Sequence, residues 1–189
     1  MVNDVKIAGS GTISAGEYNI VSVAGSGKGF GDINCKLLKV AGSAKFEGNI
    51  NSEEISVAGA CSFLRDVKGN KVKSAGSVKV CGNISCEEFK AEGAITVLGE
   101  CNIEVMDCKI EGGHFNNIYG ESIHINNERD KKTIINEIEA TSINVRNVEA
   151  KRISGDDVKI TGRSVVDVIE FKNSLKIGEL VTVKQIIKL

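Results

Sequence analysis

The sequence predicts an all-β fold in which a single chain winds into a parallel β-helix, a solenoid with a triangular cross-section. Three observations support this prediction. Similar segments recur at a constant spacing of seventeen residues. Apolar and polar residues alternate within each repeat, as they do in strands. No segment has the 3.6-residue period of a helix. Units this short cannot enclose a core alone, so they must stack on one another.

The repeat is clearest in the first hundred residues, where VSVAGSG, LKVAGSA, ISVAGAC, VKSAGSV and FKAEGAI align. Their shared glycines, each one repeat from the next, are Gly25, Gly42, Gly59, Gly76 and Gly93. An earlier copy, VKIAGSG, places Gly9 sixteen residues before Gly25. A second series holds Gly31, Gly48, Gly82 and Gly99, with Arg65 in the gap. Glycine permits positive φ or a close backbone approach, so both series are predicted to lie at corners.

Apolar residues follow the same spacing and define the predicted strands. We call positions one repeat apart a column. One pair of columns holds Val21, Leu38, Ile55, Val72, Phe89 and Met106, followed two residues later by Val23, Val40, Val57, Ser74 and Ala91. Further columns hold Phe46, Phe63, Val80 and Val97, then Ile33, Ile50, Val67 and Ile84. Because residues two apart in a strand share a face, each repeat contains three short strands and three corners.

The period weakens after Met106 and resumes towards the C-terminus. Gly112 and Gly113 mark an irregular segment at about residues 112–137, within which the polar run NNERDKKT (126–133) predicts a protruding loop. Beyond it, five apolar pairs are again one repeat apart: Val148 and Val165, Val158 and Leu175, Ile160 and Ile177, Val166 and Val183, Ile169 and Ile186. Residues 1–189 are therefore predicted to form one β-helix domain, with roughly ten or eleven turns in a rod of about 50 Å.

Composition and charge exclude several classes of protein. The 24 Lys and Arg residues balance 25 Asp and Glu, which argues against binding of nucleic acid through net positive charge. No apolar run approaches the roughly 20 residues of a membrane-spanning helix, and the N-terminal residues MVNDVKIAGS lack the features of a signal peptide. The sequence therefore predicts a cytoplasmic protein. The absence of proline suits a fold in which almost every strand residue contributes a hydrogen-bond donor.

The two ends of the predicted β-helix carry the main functional prediction. Solenoids usually cap their open ends, which otherwise present unpaired backbone groups. Here no amphipathic helix precedes Val5 and Ile7 or follows the C-terminal strand. Flat apolar ends favour end-to-end stacking, although the last strand could instead fold over as a plug. The predicted polymerisation interface consists of Val5, Ile7, Val181, Val183, Ile186 and Leu189.

The repeats VSVAGSGKGFGDINCKLLKVAGSAKFEGNI and the C-terminal stretch ISGDDVKITGRSVVDVIEFKNSLKIGELVTVKQI resemble those of bactofilins, the polymer-forming cytoskeletal proteins of bacteria, including the bactofilin-like proteins of Gram-positive bacteria. The resemblance implies a right-handed β-helix that polymerises without nucleotide. It also implies a scaffold for cell-envelope or motility machinery, often at the inner face of the cell membrane. Implied partners are further copies of this chain, a related bactofilin, and cell-envelope or membrane-associated proteins.

The side chains that could take part in catalysis or metal binding do not form a recognisable catalytic, cofactor or metal site. The six cysteines contain no CxxC pair, so they are interpreted as structural. His114 and His124 are the only histidines, and no nucleophile or carboxylate is fixed beside them by spacing. Glu54, Lys71 and Glu88 share a column and predict a surface charge ladder. We predict that the protein is not an enzyme and uses no cofactor.

Two other function classes remain open. A β-helix face could present outward columns to a partner protein or a glycan, which would make the chain an adaptor. Hexapeptide acyltransferases also use triangular β-helices, but each of their turns consists of three hexapeptides, and a protruding loop bears a catalytic histidine. Here each repeat is one residue shorter than three hexapeptides, and the run 126–133 contains no histidine. The acyltransferase alternative is therefore the less favoured of the two.

Overall fold

A computed structural model describes residues 3–129 and 131–189, and it confirms the predicted parallel β-solenoid. The chain winds through about 11 turns of about 17 residues each. The fourteen strands of the described residues belong to one sheet, in which neighbouring strands run parallel. In this part of the chain there is no helix that could span a bilayer.

The first turns contain short strands separated by corners. They are β1 (Asn3–Ile7), β2 (Ser10–Ile13), β3 (Gly16–Val23), β4 (Ser26–Gly29), β5 (Ile33–Val40), β6 (Ser43–Phe46), β7 (Ile50–Val57) and β8 (Ala60–Phe63). Later strands run through corners without a break. They are β9 (Val67–Val80), β10 (Ile84–Asn127), β11 (Thr133–Arg146), β12 (Val148–Thr161), β13 (Val165–Ile177) and β14 (Thr182–Lys188).

The register of the strands confirms the predicted columns. Val21 pairs with Leu38, which pairs with Ile55, and all three are fully buried. The rings of Phe46 and Phe63 stack with their centroids 5.5 Å apart. Because inward residues of one turn cover those of the next, the columns form a single apolar core along the axis.

One corner requires glycine because successive turns approach closely there. A Cβ atom added to Gly42 would lie 2.2 Å from the carbonyl oxygen of Gly25, and one added to Gly59 would lie 2.1 Å from that of Gly42. Gly25, Gly76 and Gly93 meet the preceding glycine in the same way. Only Gly93 of this series has a positive φ, 105°. Close approach, rather than an unusual backbone conformation, therefore fixes most of the series.

A second corner carries a ladder of side-chain hydrogen bonds that the sequence analysis missed. The backbone N–H of Asn49 donates to Oδ1 of Asp32 (2.8 Å), that of Asp66 to Oδ1 of Asn49 (3.3 Å), and that of Asn83 to Oδ1 of Asp66 (2.8 Å). Glu100 continues the ladder by donating to Asn83. These residues follow the second glycine series one position later, so the spacing of the repeat contained the signal.

The interruption of the solenoid is shorter than predicted. Strands cover most of residues 112–137, and only 128–132 lie between β10 and β11, where Asp130 is outside the described residues. Asn127 and Thr133, predicted as loop residues, are fully buried. The side-chain amide of Asn127 donates to the carbonyl oxygen of Lys131 (2.7 Å) and to Oγ1 of Thr133 (3.1 Å). Asn127 therefore closes the base of the loop, and the columns continue beyond it.

The C-terminal register confirms four of the five predicted pairs. Val158 pairs with Leu175, Ile160 with Ile177, Val166 with Val183, and Ile169 with Ile186. The prediction that Val165 pairs with Val148 is wrong, because Val165 pairs with Glu149. This turn is one residue shorter than the repeat at that point, and a register shift between Gly155 and Asp157 restores the usual spacing.

Candidate assembly interface

Both ends of the solenoid present strand edges. Among the described strands, β1 pairs with β3 alone, β2 with β4 alone, and β14 with β13 alone. An unpaired parallel edge offers a row of free backbone donors and acceptors to another strand. The two ends lie at opposite limits of the strand order, so one molecule cannot satisfy either end with the other.

The C-terminal end exposes apolar side chains whose columns are otherwise buried. Ile153 and Ile169 are both 0% exposed, whereas Ile186, next in the same column, is 50% exposed. Ile160 is 0% exposed and its partner Ile177 is 40% exposed. Leu180 and Leu189 are also exposed. This coil has the inward pattern of a middle turn, but no turn of the described chain covers it.

The N-terminal end is less apolar. Val5 and Ile7 pair with Val21 and Val23, and both are partly buried against the core. Among residues 3–23, every large apolar side chain is at least partly buried. The hydroxyl of Tyr18 donates to the carbonyl oxygen of Ser14 (2.9 Å). The two ends are therefore both open, but they differ in apolar surface.

The six predicted interface residues divide into two groups. Val5, Ile7, Val181 and Val183 pack partly against the core, whereas Ile186 and Leu189 are exposed. Four further end residues were missed by the sequence analysis: Tyr18, Phe171, Ile177 and Leu180. Tyr18 and Phe171 occupy positions that are small in neighbouring turns, such as Cys35 and Gly155. Each aromatic residue lies one strand from the end of its column, next to Asn3 or Lys188. A large residue in a column of small ones was the available signal.

Charged side chains border the C-terminal end without covering it. Lys184 Nζ lies 2.7 Å from Asp167 Oδ1, and Lys172 Nζ lies 2.9 Å from Asp156 Oδ1. These ion pairs join neighbouring turns on the outer surface. Exposed pairs of this kind contribute little stability, so the apolar side chains dominate the character of this end.

The residues considered for chemistry do not converge on a site. All six cysteines are free, and five are buried. Burial raises the pKa of Cys61 to about 12, which disfavours the reactive thiolate. His114 pairs in register with Ile134, and His124 with Asn144, whose Nδ2 lies 3.0 Å from His124 Nδ1. The described residues contain no group of three or more His, Cys, Asp or Glu side chains arranged to hold a metal ion.

The predicted charge ladder is present, with one change of partner. Glu54, Lys71 and Glu88 are in register, and Lys71 Nζ lies 2.7 Å from Glu88 Oε2. Glu54 instead pairs with Lys73 at 3.6 Å. Hydrogen bonds from Lys71 and then Lys90 lower the pKa of Glu88 to about 2. The ladder is a surface ion-pair network.

Comparisons with protein-family models, with curated proteins and with solved structures find no match for this chain. The resemblance to bactofilins therefore stays a prediction from the repeats.

Proposed function

We propose that this chain is a structural protein whose subunits stack end to end into filaments without nucleotide. The observation that carries the proposal is the C-terminal coil, where Ile177 and Ile186 are 40% and 50% exposed although their columns are fully buried one turn earlier. Another subunit placed on this end would supply the missing turn. Strand pairing would then continue across the junction.

Apolar burial supports this assignment energetically. Covering the exposed half of an isoleucine side chain contributes about 1 kcal/mol. Ile177, Leu180, Ile186 and Leu189 together offer about 4 kcal/mol on the C-terminal side alone, and the edge strands add backbone hydrogen bonds. This gain opposes the entropy lost on association. Because the two ends are far apart on a rigid rod, the product of repeated stacking is a filament.

The cellular role follows from the family resemblance. A filament of this kind would act as a scaffold that organises cell-envelope or motility machinery in the cytoplasm, at the inner face of the membrane. Its partners would be further copies of this chain, a related bactofilin, and cell-envelope proteins. The open ends support a role in assembly.

Substitution of Ile186 tests the proposal at the C-terminal end. Ile186→Lys places a charge on the exposed end and is expected to abolish filaments seen by negative-stain electron microscopy, with the monomer still folded by circular dichroism. Val183→Lys should act in the same direction. The matched control is Ile134→Lys, because Ile134 is 48% exposed but lies on a lateral face. Filaments that survive both end substitutions would contradict the proposal.

Gly9→Ala tests the N-terminal end. A Cβ atom on Gly9 has no neighbour within 4 Å in the monomer, so folding should be unaffected. In later turns the equivalent Cβ would strike the preceding turn, which for Gly9 is the position of an incoming subunit. Gly9→Ala should therefore weaken assembly through this end without lowering the thermal stability of the monomer. Unchanged filaments would exclude a close, in-register contact at Gly9.

A further inference from the structure

One corner of the N-terminal half carries an outward column of mostly apolar side chains. Gly29, Phe46, Phe63, Val80 and Val97 are successive register partners. The residues that follow them therefore stack in turn, and we call these the corner ridge: Phe30, Glu47, Leu64, Cys81 and Leu98. Phe30 is 41% and Leu98 46% exposed, while Leu64 and Cys81 are partly exposed.

The two sides of the corner ridge carry opposite charge. Two residues before the ridge lies an outward column with Lys28, Lys45 and Lys79. Two residues after it lies the hydrogen-bonded corner with Asp32, Asp66 and Glu100. Arg65, between the ridge and this corner, offsets one of the acidic charges. The ridge is thus an apolar line between a basic and a predominantly acidic column.

Contacts that the ridge residues make within one molecule do not bury the corner ridge or neutralise the columns beside it. Lys28 Nζ lies 4.3 Å from the centroid of the Phe30 ring and 3.0 Å from Glu47 Oε1. Both contacts are at the surface, where such pairs are weak, and Phe30 is still 41% exposed. The ridge therefore keeps apolar surface that another molecule could cover.

The corner ridge and its two charged columns are complementary to the same surface on a second copy. If two copies meet ridge to ridge with a two-fold axis parallel to the solenoid, the basic column of each faces the acidic column of the other. An antiparallel arrangement would instead place lysine columns together and acidic columns together. We infer that the corner ridge is a lateral contact between two parallel copies of this chain, distinct from the end contact.

The charge of the two flanking columns selects a second copy of this chain as the occupant. An anionic lipid surface would be attracted by Lys28, Lys45 and Lys79 but repelled by Asp32, Asp66 and Glu100, whereas a parallel copy satisfies both columns. A stable dimer needs about 800 Å² on each partner, more than five side chains supply. Single subunits therefore pair weakly. Copies joined into filaments pair strongly because each added subunit contributes another ridge contact.

Cys81 gives a direct test, since it is the one cysteine of the six that is not buried. On a parallel two-fold axis, Cys81 of one copy faces Cys81 of the other. A short bismaleimide should therefore link the wild-type chain into a covalent dimer, and Cys81→Ser should remove the dimer. The matched control, Cys81→Ser/Ser85→Cys, places the thiol four residues further along the chain, at an exposed position past the corner. Its yield should be about tenfold lower, which corresponds to about 1.4 kcal/mol.

Moving the thiol along the ridge determines the direction of the two copies. Parallel copies require Cys81→Ser/Leu64→Cys and Cys81→Ser/Leu98→Cys each to link with themselves. Antiparallel copies centred on Cys81 would bring position 64 of one copy beside position 98 of the other and hold like positions about 10 Å apart along the axis. A mixture of the two variants would then link better than either variant alone, and that result would overturn the inference. Equal yields for the ridge thiols and the Ser85→Cys control would also overturn it.

Two further experiments distinguish the lateral contact from lipid binding and from end stacking. If anionic vesicles protect Cys81 from a monofunctional maleimide and no covalent dimer forms, the occupant is a membrane and the inference is wrong. All linking is repeated at high protein concentration with Val183→Lys/Ile186→Lys, which blocks the proposed end contact. Dimers from this variant support the lateral contact even if filaments are never found. Filaments without ridge dimers leave the end contact standing and overturn the lateral one.

Discussion

The N-terminal and C-terminal parts of the solenoid share one core but have different corners. From β3 to β9, each residue pairs with the one seventeen positions later, as Val21 does with Leu38. The offset rises to twenty where Ile118 pairs with Ile138, and falls to fifteen where Ile138 pairs with Ile153. Ile153 is in turn paired with Ile169, and these four isoleucines are all 0% exposed. The number of residues in a turn varies, but the inward column keeps a buried isoleucine in every one of these turns.

The difference shows that corners, rather than strands, make the sequence repeat visible. In the N-terminal part, glycines approach the backbone of the preceding turn. Asp and Asn side chains accept hydrogen bonds from the backbone of the next turn, so residue type and spacing are both fixed. In the C-terminal part, Asn147 has a φ of 53° and its side chain donates to the carbonyl oxygen of Asn127 (2.6 Å). Arg152 also bridges neighbouring turns by pairing with Glu137 and Glu170. These corners use individual side chains and tolerate changes in length.

The largest expected effect is at the glycine corner. Gly59→Ala places a Cβ atom 2.1 Å from the carbonyl oxygen of Gly42, so the turns must move apart. We expect a loss of about 3 kcal/mol in the free energy of unfolding, seen as a fall of roughly 6–12 °C in the midpoint of thermal unfolding.

Gly178→Ala, in the C-terminal part, is the matched comparison, because its added Cβ would lie 3.4 Å from the nearest atom. Its midpoint should change little. Equal losses at Gly59 and Gly178 would contradict the idea that close approach between turns is what requires glycine at position 59.

A smaller effect is expected from the asparagines at the corners. Asn127→Ala removes a fully buried amide and leaves Thr133 and backbone groups without their partner. The cost should be about 2 kcal/mol. Asn49→Ala removes similar bonds from an exposed ladder, where water replaces them, and should cost about 1 kcal/mol or less. Thermal unfolding of both variants measures the difference, and a larger loss at Asn49 would reverse our ranking of the two corners.

The smallest expected effect is the loss of thermal stability at acid pH. The folded-state pKa of Glu88 is about 2, below its ordinary 4.5, because Lys71 and Lys90 stabilise the carboxylate. A depressed carboxyl pKa contributes stability that is present above about pH 4.5 and lost as the pH falls through about 2. Arg152 lowers the pKa of Glu170 in the same direction. Between about pH 5 and 2, the thermal midpoint of the wild type should fall slightly more than that of Glu88→Gln. If the thermal midpoints of the wild type and of Glu88→Gln fall equally over this pH range, Glu88 does not contribute to the acid sensitivity.

Most of the N-terminal fold was predictable because each turn repeats the same physical demands. Alternation identified strands such as the one holding Leu38 and Val40, and the constant repeat identified the stack. The register beyond Met106 was only partly predictable. The pair Val148 and Val165 was wrong because two successive turns there, with offsets of fifteen and sixteen, displace the apparent period.

The end residues were predicted only in part. Ile186 and Leu189 were identified from the uncapped end, and both are exposed. Ile177 and Leu180 were missed because their exposure depends on how far β14 extends over β13, which is only to Phe171. The sequence pattern places a residue in a column but does not show which members of the column another strand covers.

The solenoid, its inward columns and its glycine corner could all be predicted from the order of residues, because they depend on spacing and residue size that every turn repeats. Which members of a column are covered depends on how the turns stack. Ile169 and Ile186 occupy the same column, and Ile186 is half exposed because no strand of the described residues lies over it. The stacking of the turns also decided that the corner ridge, with Phe30 and Leu98 among its members, forms one outward edge with opposite charges beside it. Such neighbours lie a full turn apart in the chain, and stacking alone brings them together.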